Sequence, residues 1–189
     1  MIIKEKLNQS VEILNELNID MWLTFCRESA TTPDPALDLI TGRNVVGQSV
    51  FIISKSGETI AIVSAIDSAD FINDGIFQKV IPYKEHIADE LLQQLYQINP
   101  GSIAINYSKN SVSTDGLTYG MYLLLTEYLK DTPYLEKLIS SESIQFRVRG
   151  RKNKHEIELI TKAATVADEC WQKSIEVIKT GMTEIEIAS

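Results

Sequence analysis

Three polar residues that follow the first short apolar run are the best candidates for a functional site in this sequence. The run at 21–25 is aromatic and apolar, which predicts a buried strand that leads into Arg27 and Glu28. Two prolines between residues 29 and 35 favour extended geometry, so this stretch is predicted to be a loop. Loops that follow buried strands often carry sites. Arg27, Glu28 and Asp34 are therefore the candidates, and a solvated turn with local ion pairs is the alternative.

The common motifs of catalysis are absent from the sequence. There is no P-loop, no G-x-G-x-x-G, no H-E-x-x-H and no C-x-x-C. Gly47 and Ser49 match the start of a nucleophile elbow, but Phe51 stands where that motif needs its second glycine, so Ser49 is predicted to lie in a strand. His86 and His155 have no cysteine or aspartate at ligand spacing and are interpreted as exposed residues at helix starts. The residues alone therefore indicate no catalytic residue and no metal ligand.

Composition narrows the class of partner. A net charge of −8 argues against nucleic acid and anionic membranes, because phosphate binding needs clustered cations. The exception is the basic segment 147–154, which we interpret as a solvated linker. No apolar run approaches the roughly 20 residues that span a bilayer, and the first thirty residues contain no signal-peptide core. Cys26 and Cys170 lie far apart and favour reduced thiols. We therefore expect a soluble, cytoplasmic protein.

Strand-like and helix-like patterns alternate along the chain, which predicts an α/β fold. The β-rich runs at 48–54 and 59–64 are joined by a short turn with a glycine and predict a hairpin, so the sheet is expected to be mixed. Both runs are apolar at nearly every position, which predicts that helices cover both faces of the sheet. A last strand is predicted at 144–146.

The longest helical pattern lies at the end of the sequence. Apolar residues recur in steps of three and four from Ile157 to Ile178, which predicts one helix with a buried apolar stripe. Thr183 and Glu186 form a capping-box pattern that predicts the start of a further helix. We expect a domain at 1–146, a basic linker at 147–154, and a C-terminal helical overhang at 155–189 that begins a second, truncated domain.

Several short motifs, taken in order, resemble a family of metallopeptidases. They are WLTFCRE at 22–28, DGLT at 115–118, SSESI at 140–144, RVRGRK at 147–152 and IKTGMTE at 178–184. Together they resemble the creatinase/prolidase-type enzymes, which include Xaa-Pro aminopeptidases and dipeptidases. In these enzymes a creatinase-like N-terminal domain precedes a pita-bread catalytic domain. The resemblance implies a mixed sheet flanked by helices, with a ribonuclease H-like motif, and covers essentially the whole chain.

The resemblance also implies a function for the parent protein. Such enzymes hold two divalent metals, commonly manganese, through two aspartates, a histidine and two glutamates, and they cleave the bond before proline. Their first two aspartates form a D-x-D element, which this sequence lacks, so no metal or catalytic residue is carried over. The expected partners are proline-containing peptides and a second copy of the chain in a homodimer.

Within such an enzyme, this domain is expected to be non-catalytic. Its role would be to shape the active-site entrance, through Arg27, Glu28 and Asp34, and to provide subunit contacts. Two alternatives stay open: a binding or oligomerisation module of a pseudo-enzyme, and part of a metal-free amidinohydrolase similar to creatinase.

Overall fold

A mixed sheet of six strands forms the centre of the first of two units, Met1–Arg151. The computed structural model describes residues 2–188. In spatial order the sheet is β4-β3-β2-β1-β5-β6, and among the described strands only β2 runs antiparallel to its neighbours. The predicted α/β fold and the hairpin of β2 and β3 are thereby confirmed. The strands are β1 (Met21–Cys26), β2 (Ser49–Ser54), β3 (Thr59–Ser64), β4 (Lys79–Tyr83), β5 (Ile103–Ile105) and β6 (Leu138–Ser140).

Helices cover both faces of this sheet, as the apolar strands predict. Because side chains alternate along a strand, Trp22 and Phe51 enter one core while Leu23 and Ile52 enter the other. The first core is closed by α1, α2, α3 and α6, and the second by α4 and α5. The helices are α1 (Ile2–Leu17), α2 (Leu37–Ile40), α3 (Ala65–Asp74), α4 (Ile87–Ile98), α5 (Tyr119–Leu129) and α6 (Glu142–Gly150).

The two edge strands are short or interrupted. Strand β6 has three residues, and β4 contains Pro82, which has no backbone N–H to donate. Edge strands with these features are poor templates for pairing with another strand.

Two predictions at the end of the first unit are wrong. The predicted strand at 144–146 lies inside helix α6, because Ile144 and Val148 are spaced to bury one helical face against the first core. The predicted linker at 147–154 is helical as far as Gly150, so the segment between the helices is only 151–153.

Two arginines of the segment 147–154 and one lysine of α1 hold α6 to α1. Glu16 accepts hydrogen bonds from Arg151 at 2.8 and 2.9 Å and from Arg147 at 3.1 Å. Lys6 is buried, and its ammonium group donates to the backbone carbonyls of Val148 and Arg151 at 2.8 Å each. A cation at this position also complements the negative end of the helix dipole.

The second unit, Lys152–Ser189, contains α7 (Lys154–Val177) and α8 (Glu184–Ala188). Asn153 and Glu156 form a capping box at the start of α7. The predicted capping box of α8 is confirmed. The carboxylate of Glu186 accepts the backbone N–H of Thr183, and the backbone N–H of Glu186 donates to the hydroxyl of Thr183. The predicted burial of the α7 stripe is not found, because Trp171 is 60% exposed. No described helix is long and apolar enough to cross a membrane.

Candidate functional site

The carboxyl ends of the three parallel strands β1, β5 and β6 lie on the same side of the sheet, and the candidate loop follows the first of them. The loop at 27–36 follows β1, Asn106 and Tyr107 follow β5, and Ser141 follows β6. In open α/β sheets the carboxyl ends of the strands are where ligands usually bind. This edge is therefore the candidate site of the first unit.

The beginning of the loop is exposed and firmly anchored. Glu28 and Ser29 donate backbone hydrogen bonds to the carbonyls of Val46 and Val45, at 3.1 and 3.0 Å. Glu28 has a φ of 44°, in the left-handed region, so the chain turns sharply as it leaves the strand. Arg27 and Glu28 line a cavity of about 110 Å³. This is far below the roughly 300 Å³ of a typical ligand pocket, so the cavity alone admits only a small group.

Asp34 lies below this surface, apart from the two other predicted residues. Asp34 is only 2% exposed, so the alternative of a solvated turn is wrong at this position. One carboxylate oxygen accepts the backbone N–H of Ala36 at 2.8 Å, and the other accepts the side-chain amide of Asn106 at 2.9 Å. A β-carbon on Gly116 would lie 2.3–2.6 Å from this carboxyl group. Only glycine at that position allows the close approach.

Asn106 is the centre of the buried network. Its oxygen accepts from the indole N–H of Trp22 and the hydroxyl of Ser141, each at 2.7 Å. Its amide nitrogen donates to the hydroxyl of Thr24 at 3.0 Å as well as to Asp34. All four hydrogen bonds available to an asparagine side chain are therefore made. The network joins side chains of β1 to the residues that follow β5 and β6, and through Asp34 it supports the loop after β1.

Burial also sets the electrostatics of this region. Loss of solvent raises the pKa of Asp34 to about 6, outweighing the hydrogen bonds from Asn106 and Ala36, which favour the charged form. Burial, with the charge of Asp34 nearby, raises the pKa of the Cys26 thiol well above its ordinary value. Cys26 is free and buried, whereas Cys170 is free and exposed. Cys26 is therefore an inert core residue.

A larger groove lies beside the loop cavity. It has a volume of about 440 Å³ and is lined by three tyrosines, two leucines and one aspartate: Tyr107, Tyr119, Tyr122, Leu117, Leu138 and Asp115. The segment 115–119 separates the two spaces, since Gly116 and Thr118 line the loop cavity while Asp115, Leu117 and Tyr119 line the groove.

Sequence reasoning identified neither the groove nor Asn106. The available signal for Asn106 was its position directly after the short apolar run at 103–105. Among residues 2–188, no three His, Cys, Asp or Glu side chains converge in a group that could hold a metal ion.

No protein-family model and no curated protein sequence matches this chain. Solved structures do. An Xaa-Pro dipeptidase from Bacillus anthracis matches 97% of this chain with a TM-score of 0.63 and 20% identity. An X-Pro aminopeptidase from Thermotoga maritima matches 96% with a TM-score of 0.62 and 18% identity. The chain has the fold found in these peptidase structures. It spans about half the length of each, 46% in both cases.

A further match concerns a shorter chain. A proline dipeptidase structure from Streptococcus pneumoniae is covered over 98% of its length by 77% of this chain, with a TM-score of 0.56 and 14% identity. At these identities the likeness establishes the fold. It confirms the mixed, helix-flanked sheet that the motif resemblance implies.

Proposed function

We propose that this chain is the N-terminal, non-catalytic domain of a metal-dependent Xaa-Pro peptidase, together with the first helices of its catalytic domain. The observation that carries the proposal is the fold shared with Xaa-Pro dipeptidase and aminopeptidase structures along nearly the whole chain. The shorter match pairs three-quarters of this chain with almost an entire solved chain, which supports a separate domain of about the length of the first unit.

The loop after β1 is the part of the domain that we assign to the active-site entrance of the parent enzyme. Arg27 and Glu28 are exposed there, on a backbone held by hydrogen bonds and supported by the Asn106 network. Arg149 of α6 lies two residues before the end of the first unit. Its guanidinium donates to the carbonyl of Pro35 at 2.8 Å and so fixes the end of the loop. Asp34 positions the loop from below and is not a contact residue.

The chemistry is assigned to the remainder of the parent protein. Two divalent metals, manganese by expectation, would activate water and polarise the carbonyl before proline. Proline-containing peptides are then the substrates. The parent protein is further proposed to be a homodimer in the cytoplasm.

Activity of the pure 189-residue chain tests the non-catalytic assignment. We expect no cleavage of Xaa-Pro dipeptides or longer Xaa-Pro peptides after addition of manganese. Turnover that follows the purified chain through chromatography would overturn this assignment. The coding sequence downstream of Ser189 tests the enzyme class, since a D-x-D element followed by His, Glu and Glu is expected. A downstream region without these acidic ligands would favour the pseudo-enzyme or the amidinohydrolase.

Variants of the full-length parent test the role of the loop. We expect Arg27→Ala and Glu28→Gln to raise KM for Xaa-Pro peptides with little change in kcat, because they alter the entrance and leave the metal chemistry intact. Lys4→Ala, an exposed change on α1, is the matched control. Unchanged KM values in both loop variants would refute the entrance role while leaving the peptidase assignment standing.

A further inference from the structure

The groove beside the loop cavity combines aromatic faces with a fixed carboxylate. Tyr119 is 74% exposed and Tyr122 is 37% exposed, and their rings stack with centroids 6.5 Å apart and an interplanar angle of 23°. Asp115 accepts the backbone N–H of Ser108 through Oδ1 at 3.0 Å, which holds the carboxylate in place. Its Oδ2 accepts no hydrogen bond from any described residue. Leu117 forms part of the apolar lining.

These features match one side chain better than others. Arginine carries a planar cation that stacks on aromatic rings and donates two parallel hydrogen bonds to a carboxylate. Its three methylene groups can cover an apolar surface such as that of Leu117 and Leu138. A volume of about 440 Å³ lies within the range of ordinary ligand sites and holds such a side chain together with its backbone.

We propose that this groove binds an arginine side chain of a peptide or protein partner, stacked on Tyr119 and Tyr122 and paired with Asp115. The partner is cationic because the lining carries a carboxylate and no lysine or arginine, in a chain of net charge −8. The groove lies outside the loop cavity of Arg27 and Glu28. The proposal is independent of the proposed peptidase function, since binding is measured without catalysis.

Titration of the full 189-residue chain with N-acetyl-arginine-N-methylamide, followed by NMR of the tyrosine rings, tests this proposal. The neutral citrulline analogue is the matched probe, because it keeps the shape of the side chain and removes the charge. We expect the arginine probe to shift the resonances of Tyr119 and Tyr122 with a Kd on the order of 10 mM, since one exposed ion pair and one or two stacking contacts are weak. The citrulline probe should bind at least threefold more weakly.

Two substitutions locate the site. Asp115→Asn keeps the acceptor for Ser108 and removes the charge, and it should weaken arginine binding about threefold to fivefold. Tyr119→Leu removes an exposed ring and should weaken binding by a similar factor. Asp89→Asn and Tyr96→Leu make the same chemical changes on exposed positions of α4 and should leave the Kd unchanged.

The other outcomes overturn the proposal. Equal binding of the citrulline probe would show an apolar site in which the carboxylate plays no part. Stronger binding of N-acetyl-proline-N-methylamide would assign the tyrosines to a proline ring instead. Shifts that persist in Asp115→Asn and Tyr119→Leu, or no shift at 50 mM probe, would exclude arginine from the groove. Concentration-dependent shifts without any probe would assign the groove to a second copy of the chain.

Discussion

Replacement of Asp34 by asparagine tests whether burial or hydrogen bonding controls this carboxyl group. The substitution keeps the size that fits against Gly116 and removes the titrating group. In the native protein, burial raises the pKa from an ordinary 3.8 to about 6. At about 1.4 kcal/mol per pH unit, this difference corresponds to about 3 kcal/mol of unfolding free energy.

The sign of the effect follows from which form the folded state prefers. A raised pKa means that the folded protein binds the proton of Asp34 more tightly than the unfolded chain does. The contribution of this group is therefore fully present below about pH 4 and is lost as the pH rises to 6. The asparagine variant has no such loss. At pH 4 it should be less stable by about 1–3 kcal/mol, because its amide then faces the amide of Asn106. At pH 7 this deficit should be cancelled or reversed.

Urea unfolding at pH 4 and pH 7 measures this difference. The chain has two tryptophans, and Trp171→Phe leaves the buried Trp22 as the only indole reporter, in the same hydrogen-bond network as Asp34. Asp38→Asn makes the same change at an exposed position and should alter stability by no more than about 0.5 kcal/mol at either pH. A stability difference between Asp34→Asn and the native chain that is equal at both pH values would refute the reasoning. It would mean that the hydrogen bonds from Asn106 and Ala36 at least offset the effect of burial on the pKa of Asp34.

Three further predictions follow from buried contacts. Gly116→Ala should lower the unfolding free energy by about 1–3 kcal/mol, because its β-carbon would overlap the carboxyl group below it. Lys6→Met should cost about 1–3 kcal/mol, since two carbonyls at the end of α6 lose their donor, and urea midpoints measure both variants. A thiol reagent such as DTNB should modify Cys170 rapidly in the native chain and Cys26 only on unfolding, as counted by released thiolate.

Matched variants make these predictions specific. Gly120→Ala adds the same methyl group where nothing lies within 4 Å, and it should be neutral or stabilising by up to about 1 kcal/mol. Lys4→Met removes an exposed lysine of the same helix and should change stability by less than about 0.5 kcal/mol. Equal losses in Gly116→Ala and Gly120→Ala would contradict the packing explanation. Rapid reaction of two thiols in the folded protein would contradict the burial of Cys26.

Local patterns in the sequence predicted the three neighbouring strands β1, β2 and β3. The apolar runs of β1, β2 and β3 alternate their side chains between two cores, and burial on both faces is what their continuous apolar composition indicates. The helix predicted from Ile157 to Ile178 corresponds to α7, which ends at Val177. These features depend on neighbours within one element, which is why one sequence is enough to find them.

The errors have a different origin. Strand β6 was missed because it is three residues long and only partly buried. Helix α6 was divided between a strand and a linker because its two buried apolar residues, Ile144 and Val148, lie among arginines that bind the first helix. The burial of Asp34 was not predicted, since Asn106 and Gly116, which pack against it, lie more than seventy positions away in the chain. Long-range contacts of this kind leave no periodic signal.

The short β6 and the proline in β4 have a consequence for any larger assembly. A partner that binds this domain cannot extend the sheet through a long row of backbone hydrogen bonds, because neither edge strand offers one. This domain must therefore contact its partners mainly through side chains. Association of this domain, with a copy of itself or with another protein, should be sensitive to single surface substitutions and resistant to the strand-by-strand growth that leads to fibrils.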